Sequence, residues 1–291
     1  MNELSLSNGV RIPQLGYGVY QIAKEDCARC VLDALKTGYR HIDTAQAYYN
    51  EEEVGTAIVE SGIPREEIFL TSKVWIENYG YENAKRSVEE SLRKLQTDYI
   101  DLMLLHQPFG DYYGAWRALE ELYRAGKLRA IGVSNFYPDR LVDLCAFSSV
   151  RPMVNQVETH PFNQQTDAQK WMEKYGVRIE GWAPFGEGRG NLFHQPVIEE
   201  IGKKYGKTAA QTILRWNMQR QIIAIPKSTH IERMKENFDI FDFELSDEDM
   251  QRIALLDRKT SLFFSHSDPN TVEWFAGLVR GQEEIKGGHR E

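Results

Sequence analysis

The sequence predicts a (β/α)8 barrel of the α/β class, and three observations carry that reading. Short apolar runs alternate with amphipathic stretches along most of the chain. Eight such runs can be counted, each largely apolar, as strands buried on both faces should be. The length of 291 residues fits eight β/α units with some extension. The strands are expected at 15–19, 39–43, 68–73, 100–106, 130–134, 153–156, 178–182 and 222–225.

Taken in order, the elements justify themselves locally. Segments 4–7 and 10–12 flank Asn8-Gly9, a two-residue hairpin signal, and a hairpin there would cover the N-terminal mouth of the barrel. Cys27, Cys30, Val31, Ala34 and Leu35 recur at i, i+3, i+4, i+7 and i+8 and form the first helical stripe. Ala84, Val88, Leu92 and Leu95 form another, and Trp116, Leu119, Leu122 and Tyr123 the next. Pro138 suits a first helical turn ahead of Leu141, Leu144 and Cys145. Ala168, Trp171, Met172 and Tyr175 continue the series. Two helical pieces are expected near 196–205 and 208–219, one from Ile231, and one after Ser246. The regular pattern stops near residue 258. The aromatic-rich stretch 261–275 reads as a long loop folding back over the site rather than as a simple helix. The organisation is one domain: a hairpin (1–14), a barrel (15–258) and a C-terminal loop and tail (259–291).

Composition narrows the class. Lys and Arg number 35 against 43 Asp and Glu, a net charge of −8, which excludes a duplex-wide nucleic-acid footprint but leaves room for a local phosphate pocket. An apolar fraction of 42% suffices for a large core and argues against disorder. No apolar run approaches the length of a membrane span, and MNELSLSNGV lacks the basic start and apolar region of a secretory signal. Three cysteines form no paired framework, so a cytoplasmic location is expected. Cys27 and Cys30 spell C-x-x-C but share the apolar stripe, so they read as core; with no second Cys pair and no H-E-x-x-H, no metal site is expected. No segment marks an obligate protein partner.

In this fold the chemistry sits at the C-terminal ends of the strands. The second, third and fourth strands end in Asp43, Lys73 and His106. The fifth ends in Ser134-Asn135, the sixth in Asn155-Gln156, the seventh in Trp182, and the eighth in Pro226-Lys227-Ser228. Asp, Lys and His after three consecutive apolar strands should converge on one face. Solvated strand ends have no need of that set.

Six motifs then resemble the aldo-keto reductase family, in that family's order. They are GYRHIDTAQAYYNE (38–51), LTSKVW (70–75), LLHQP (104–108), IGVSNF (131–136), VNQVE (154–158) and IPKSTHIERMKENF (225–238). The resemblance spans essentially the whole chain, and within the family it is to bacterial 2,5-diketo-gluconate reductase and prostaglandin-F-synthase-like members. It implies reduction of a carbonyl compound by NADPH. Tyr48 matches the proton donor, with Lys73 lowering its pKa, Asp43 pairing Lys73, and His106 orienting the carbonyl.

A Rossmann site is not supported, since Gly16-Tyr17-Gly18 has only two glycines of that fingerprint and lies in the first strand. The resemblance instead lays NADPH across the barrel mouth. It puts Ser134, Asn135 and Gln156 on the carboxamide, with Asp43 near it, and Trp182 stacked on the nicotinamide ring. Lys227, Ser228 and Arg233 would meet the 2′-phosphate, helped by the following helix start. Glu236 and Asn237 would touch the adenine, and His230 the ribose or phosphate. Gly18, Val19, Ala183, Pro184, Phe185, Ile225 and Thr229 are further expected contacts. The loop 186–190, beginning at Gly186, is a candidate clamp over the pyrophosphate.

Tyr20, Tyr49, Trp75, His106 and Gln107 are the expected substrate-pocket residues. Three positions depart from many relatives: Gln107 and Tyr20 stand where Trp is common, and Trp182 where Tyr is. A polar side chain at 107 suggests polar carbonyl substrates, such as sugar-derived aldehydes, keto acids or methylglyoxal. The competing reading is an NADPH-binding redox sensor or regulatory subunit with little turnover. A barrel glycosidase is a further alternative, but it needs two carboxylates across the pocket and only Asp43 can be placed there.

Overall fold

The first barrel strand begins only after the chain has closed a small hairpin beneath it. The computed structural model describes residues 2–287. Strands β1 (Glu3–Ser5) and β2 (Arg11–Pro13) pair antiparallel, with Leu4 opposite Ile12. The hairpin turn differs from the expected two-residue type. Leu6 N–H bonds to Val10 O and Gly9 N–H to Leu6 O, so the loop spans three residues, 7–9. Gly9 alone takes positive φ (+86°), and Asn8 stays on the ordinary side while its Oδ1 accepts from Val10 N–H. A type I′ turn needs positive φ at both central residues, and Asn8 does not supply it. Asn8 also donates to Arg129 O, and Ser5 O accepts from Arg178. Both arginines lie near the starts of barrel strands, so the hairpin does sit at the N-terminal mouth.

The barrel strands follow in chain order: β3 (Tyr17–Gly18), β4 (His41–Asp43), β5 (Phe69–Val74), β6 (Ile100–Leu105), β7 (Leu128–Ser134), β8 (Val154–Glu158), β9 (Arg178–Trp182) and β10 (Ile223–Ala224). Each runs parallel to the next. A parallel bridge between Leu15 and Ala224 joins the first to the last. All eight expected strands exist, several shifted or shortened by a few residues. Their side chains are almost entirely buried, because helices cover the outer face.

The helices are α1 (Lys24–Thr37), α2 (Glu51–Glu60), α3 (Tyr81–Lys94), α4 (Tyr112–Arg124), α5 (Pro138–Phe147), α6 (Thr166–Tyr175), α7 (Pro196–Tyr205), α8 (Ala209–Gln219), α9 (Ile231–Phe238), α10 (Asp247–Ala254) and α11 (Pro269–Gly287). On α1 the stripe Cys27, Cys30, Val31, Ala34 and Leu35 is buried, and the cysteines are free core residues. Helix α2 lies outside the stripes given above; Val54, Ala57 and Ile58 are its short buried face. Pro138 opens α5, and Thr208 with Gln211 forms a capping box at α8.

The stretch 261–275 is not a loop throughout. Its first part turns across the barrel mouth, and α11 begins at Pro269, with Asp268 Oδ1 accepting from Asn270 N–H. An Asp cap followed by proline is an ordinary helix start. Among the described residues no helix is long and apolar enough to cross a membrane.

Asp249, buried in α10, offers a stability test. Burial pushes its carboxyl up, but hydrogen bonds from Lys204, Tyr205 and Ser246 outweigh that and hold it at about 2. The folded value lies below the unfolded one. The group's contribution, about 2 kcal/mol, is therefore present above pH 4 and lost as pH falls toward 2. Urea unfolding of the wild type and Asp249→Asn at pH 6 and pH 3 should show the gap between them narrowing at the lower pH.

Candidate active site

The eight strands point their C-terminal ends into one cavity of about 740 Å³. Asp43 closes β4, and the next residues turn through a short 3-10 segment, Gln46–Tyr48. That turn is fixed by Gln46, whose Oε1 accepts from Trp75 N–H at 3.0 Å and Asn78 Nδ2 at 2.9 Å. It delivers the Tyr48 hydroxyl to Lys73 of β5. Lys73 Nζ lies 2.6 Å from Asp43 Oδ1, 2.9 Å from Thr44 O and 3.3 Å from the Tyr48 hydroxyl. All three ammonium hydrogens thus have acceptors. Asp43 Oδ2 accepts from Gln156 Nε2 at 2.8 Å, and Lys73 is wholly buried. The rings of Tyr48 and Trp75 meet His106 edge-on.

The electrostatics follow from this burial. Desolvation pulls the Lys73 ammonium down, but Asp43 and Tyr48 outweigh it and hold the group above its ordinary value. Burial raises the Asp43 carboxyl, opposed by Lys73. For Tyr48 the expectation is reversed in net direction. Burial pushes the phenol up to about 12, and Lys73 offsets only part of that. Burial, aided by Lys73 and His266, keeps His106 well below the usual histidine range, so its imidazole is neutral at physiological pH.

A second carboxylate also points into the barrel. Glu180 of β9 is fully buried, in register with Gln156, with one oxygen 3.8 Å from His41 Nε2 and neither oxygen hydrogen-bonded. Burial, with Asp43 adding to it, raises its carboxyl to about 8. Asp43 is therefore not the sole buried acid near the strand ends. An acid in the middle of an apolar strand was the available sequence signal. Glu180 lies one layer below the mouth and does not line the cavity, so it makes no pair of carboxylates across it.

The structure brings most of the other expected residues together. Gly18, Tyr20, Asp43, Tyr48, Tyr49, Trp75, His106, Gln107, Ser134, Asn135, Gln156 and Trp182 line the cavity, as do Ala183, Pro184, Phe185, Ile225, Lys227 and Arg233. Trp182 Nε1 donates to Asn135 Oδ1 at 2.9 Å, which fixes the indole against the strand ends. Gln107 Oε1 already has a partner, His266 Nε2 at 2.9 Å.

Seven expected cofactor residues stand back from the cavity wall, as does the wholly buried Lys73 behind Tyr48. Val19 is buried, its carbonyl accepting from Asn50 Nδ2. Gly186 takes φ +61° against Leu262, where a Cβ would come within 2.9 Å of the leucine. Ser228 spends its hydroxyl on His230, accepting from its N–H and donating to its carbonyl; Thr229 and His230 stay within that turn. Glu236 accepts from Thr208 Oγ1 at 2.6 Å, and Asn237 is buried.

Sequence reasoning left open which C-terminal residues reach the cavity. They are Phe263, Phe264, His266, Trp274, Phe275 and Leu278. Arg189 stacks 4.3 Å over Phe263 and donates to Leu262 O, so the loop after β9 already touches this segment. Five lining residues that are not glycine (Gln21, Tyr49, Asn135, Ala183 and Glu187) hold positive φ, the backbone strain that clusters at working sites. Among the described residues no cluster of His, Cys, Asp and Glu could hold a metal ion.

Residues 13–258 match the Aldo/keto reductase family. Glyoxal reductase of Bacillus subtilis is 47% identical over 257 residues, covering 88% of this chain and 92% of that protein. Methylglyoxal reductase DkgA of Escherichia coli is 40% identical, covering 88% and 93%. The crystal structure of a Bombyx mori aldo-keto reductase in complex with NADP superposes with a TM-score of 0.86 at 31% identity, covering 94% of this chain and 96% of that one. The chain belongs to the aldo/keto reductase family, whose members are NADP(H)-dependent oxidoreductases.

Proposed function

We propose that the protein reduces small aldehydes and ketones to alcohols with NADPH, Tyr48 supplying the proton. The observation that carries this reading is the position of Lys73 Nζ, within reach of both Asp43 and the Tyr48 hydroxyl on the floor of the cavity. The donor set fits the dinucleotide. Trp182 offers a flat aromatic face at one end, with the amides of Asn135 and Gln156 beside it, and Lys227 and Arg233 offer two exposed cations at the other. Bound NADPH supplies the hydride to the carbonyl carbon. As negative charge grows on the oxygen, the Tyr48 hydroxyl hands over its proton, and the Lys73 ammonium stabilises the phenolate that remains. Asp43 holds Lys73 in place. Neutral His106 directs an N–H at the carbonyl oxygen and orients it. The substrate class follows the reductases to which the chain is similar. Three free cysteines and no paired one fit a cytoplasmic setting.

The test is NADPH oxidation followed by absorbance with methylglyoxal, glyceraldehyde, a diketo sugar acid and phenanthrenequinone. Turnover supports the reading. NADPH binding seen by tryptophan quenching without any turnover would overturn it in favour of a redox sensor. Arg233→Ala and Lys227→Ala should each raise KM for NADPH about tenfold and leave KM for NADH nearly unchanged, since each removes one charge-assisted contact to the 2′-phosphate. Equal losses with both cofactors would remove these residues from phosphate recognition.

A further inference from the structure

One line of side chains joins the C-terminal segment to the cofactor side of the cavity. His266 Nε2 donates to Gln107 Oε1 at 2.9 Å. Gln107 Oε1 lies 3.5 Å from Asn135 Nδ2, and Asn135 Oδ1 accepts from Trp182 Nε1 at 2.9 Å. His266 and Gln107 are only 5% and 6% exposed.

The socket is rigid. The buried Tyr79 hydroxyl donates to Gln107 O at 2.7 Å and accepts from Gln107 N–H at 3.0 Å, so the backbone that carries the amide is pinned. The plug is rigid too. The His266 ring lies nearly parallel to Phe109 and Phe275, at 21° and 22°. Phe275 in turn packs against Trp75, and Trp75 meets His106 edge-on, with centroids 6.0 Å and 5.1 Å apart. Burial pushes the His266 imidazole down to about 4, so it is neutral at working pH and keeps a hydrogen for Gln107. The other direct hydrogen bond from His266 to the barrel runs from its backbone N–H to the Tyr137 hydroxyl, at 3.3 Å.

We propose that Gln107 is a specificity-determining latch and not a direct substrate contact: by holding His266 it seats Phe275 against Trp75, which narrows the substrate end of the cavity to small carbonyl compounds. This inference rests on the reductase reading of the same cavity. It also gives the polar side chain at 107 a different task from the one its polarity suggested. The amide serves the protein's own histidine, and substrate polarity does not depend on it. With the latch open, the aromatic wall moves away from Trp75. Small substrates then lose their packing, and bulky ones gain room.

The experiment compares wild type, Gln107→Leu, His266→Phe and the double variant, using methylglyoxal as the small carbonyl and phenanthrenequinone as the bulky one. His266→Phe keeps an aromatic ring between Phe109 and Phe275 and removes the hydrogen bond to Gln107. Each single variant should lower kcat/KM for methylglyoxal about three- to tenfold through KM, the effect of one buried hydrogen bond, and should shift the ratio toward phenanthrenequinone. The double variant should be no worse than either single, because both remove the same contact. Additive losses, or equal changes for both substrates, overturn the latch. Absence of turnover in the wild type itself overturns the reductase reading instead. Should Gln107→Leu fail to fold, the substrate ratio of His266→Phe decides alone.

Discussion

Tyr48→Phe is expected to lower kcat for methylglyoxal by about 10³ while leaving the affinity for NADPH within about twofold. The substitution removes one oxygen and keeps the ring, so the edge contact with His106 and the packing on Tyr20 remain. What is lost is the proposed proton donor, the hydroxyl 3.3 Å from Lys73 Nζ. With burial holding the phenol near 12, the group is fully protonated across the physiological range and never limits the reaction by ionising early. In the proposed mechanism Lys73 matters at the other end of the step, when the phenolate forms. Its ammonium already sits at that oxygen, so little rearrangement accompanies the developing charge. A Phe variant retaining more than about a tenth of wild-type kcat would show that the proton arrives by another route.

Lys73→Met is expected to damage both stability and rate. Removing the ammonium leaves the Asp43 carboxylate buried without its cation, and the hydrogen bond from Gln156 is its remaining partner among those described. Breaking a buried ion pair from one side costs about 3–5 kcal/mol. A protein of this size should lose roughly 2–4 °C of Tm for each kcal/mol. Adding Asp43→Asn removes the stranded charge and keeps a polar partner for Gln156. The double variant should therefore recover much of the Tm and none of the activity. If the double variant melts no higher than Lys73→Met, the ion pair is not the source of the loss. Scanning calorimetry beside the NADPH assay separates the two effects.

How much of this was legible in the sequence depended on how local each cause is. The eight strands could be read because burial on both faces writes a short apolar run, and the polar residue ending each run marks where the mouth lies. Asp43, Lys73 and His106 were found that way. Glu180 was not, because an acid one layer below the mouth sits inside an apolar strand and its position depends on register with Gln156. The α11 start was legible in Asp268-Pro269, but the aromatic run before it masked the period. His266 and Gln107 are 159 positions apart, and nothing local to either announces the other. The engagement of Glu236 by Thr208, 28 positions away, has the same origin, whereas the Ser228 hydroxyl is taken up by a local turn with His230.

The seam where the barrel closes has a mechanical consequence. Strands β5 and β6 share a long ladder, but β3 and β10 have two residues each and meet through a single bridge, Leu15 to Ala224. The backbone ties recorded across that join are Gly16 to Ala224, Ala224 to Gln14, and Gly18 to Pro226. The circumference is thus thin around β3 and β10, whose pairings with β4 and β9 also run to two residues each. Directly above the seam stand Gly18, Tyr20, Ile225 and Lys227, which belong to the cavity wall. Amide protons at the seam should exchange with solvent ahead of those in β5 and β6. A long ligand lying across the mouth bridges the weak edge like a splint, so its binding would stiffen the barrel most where the chain itself ties it least.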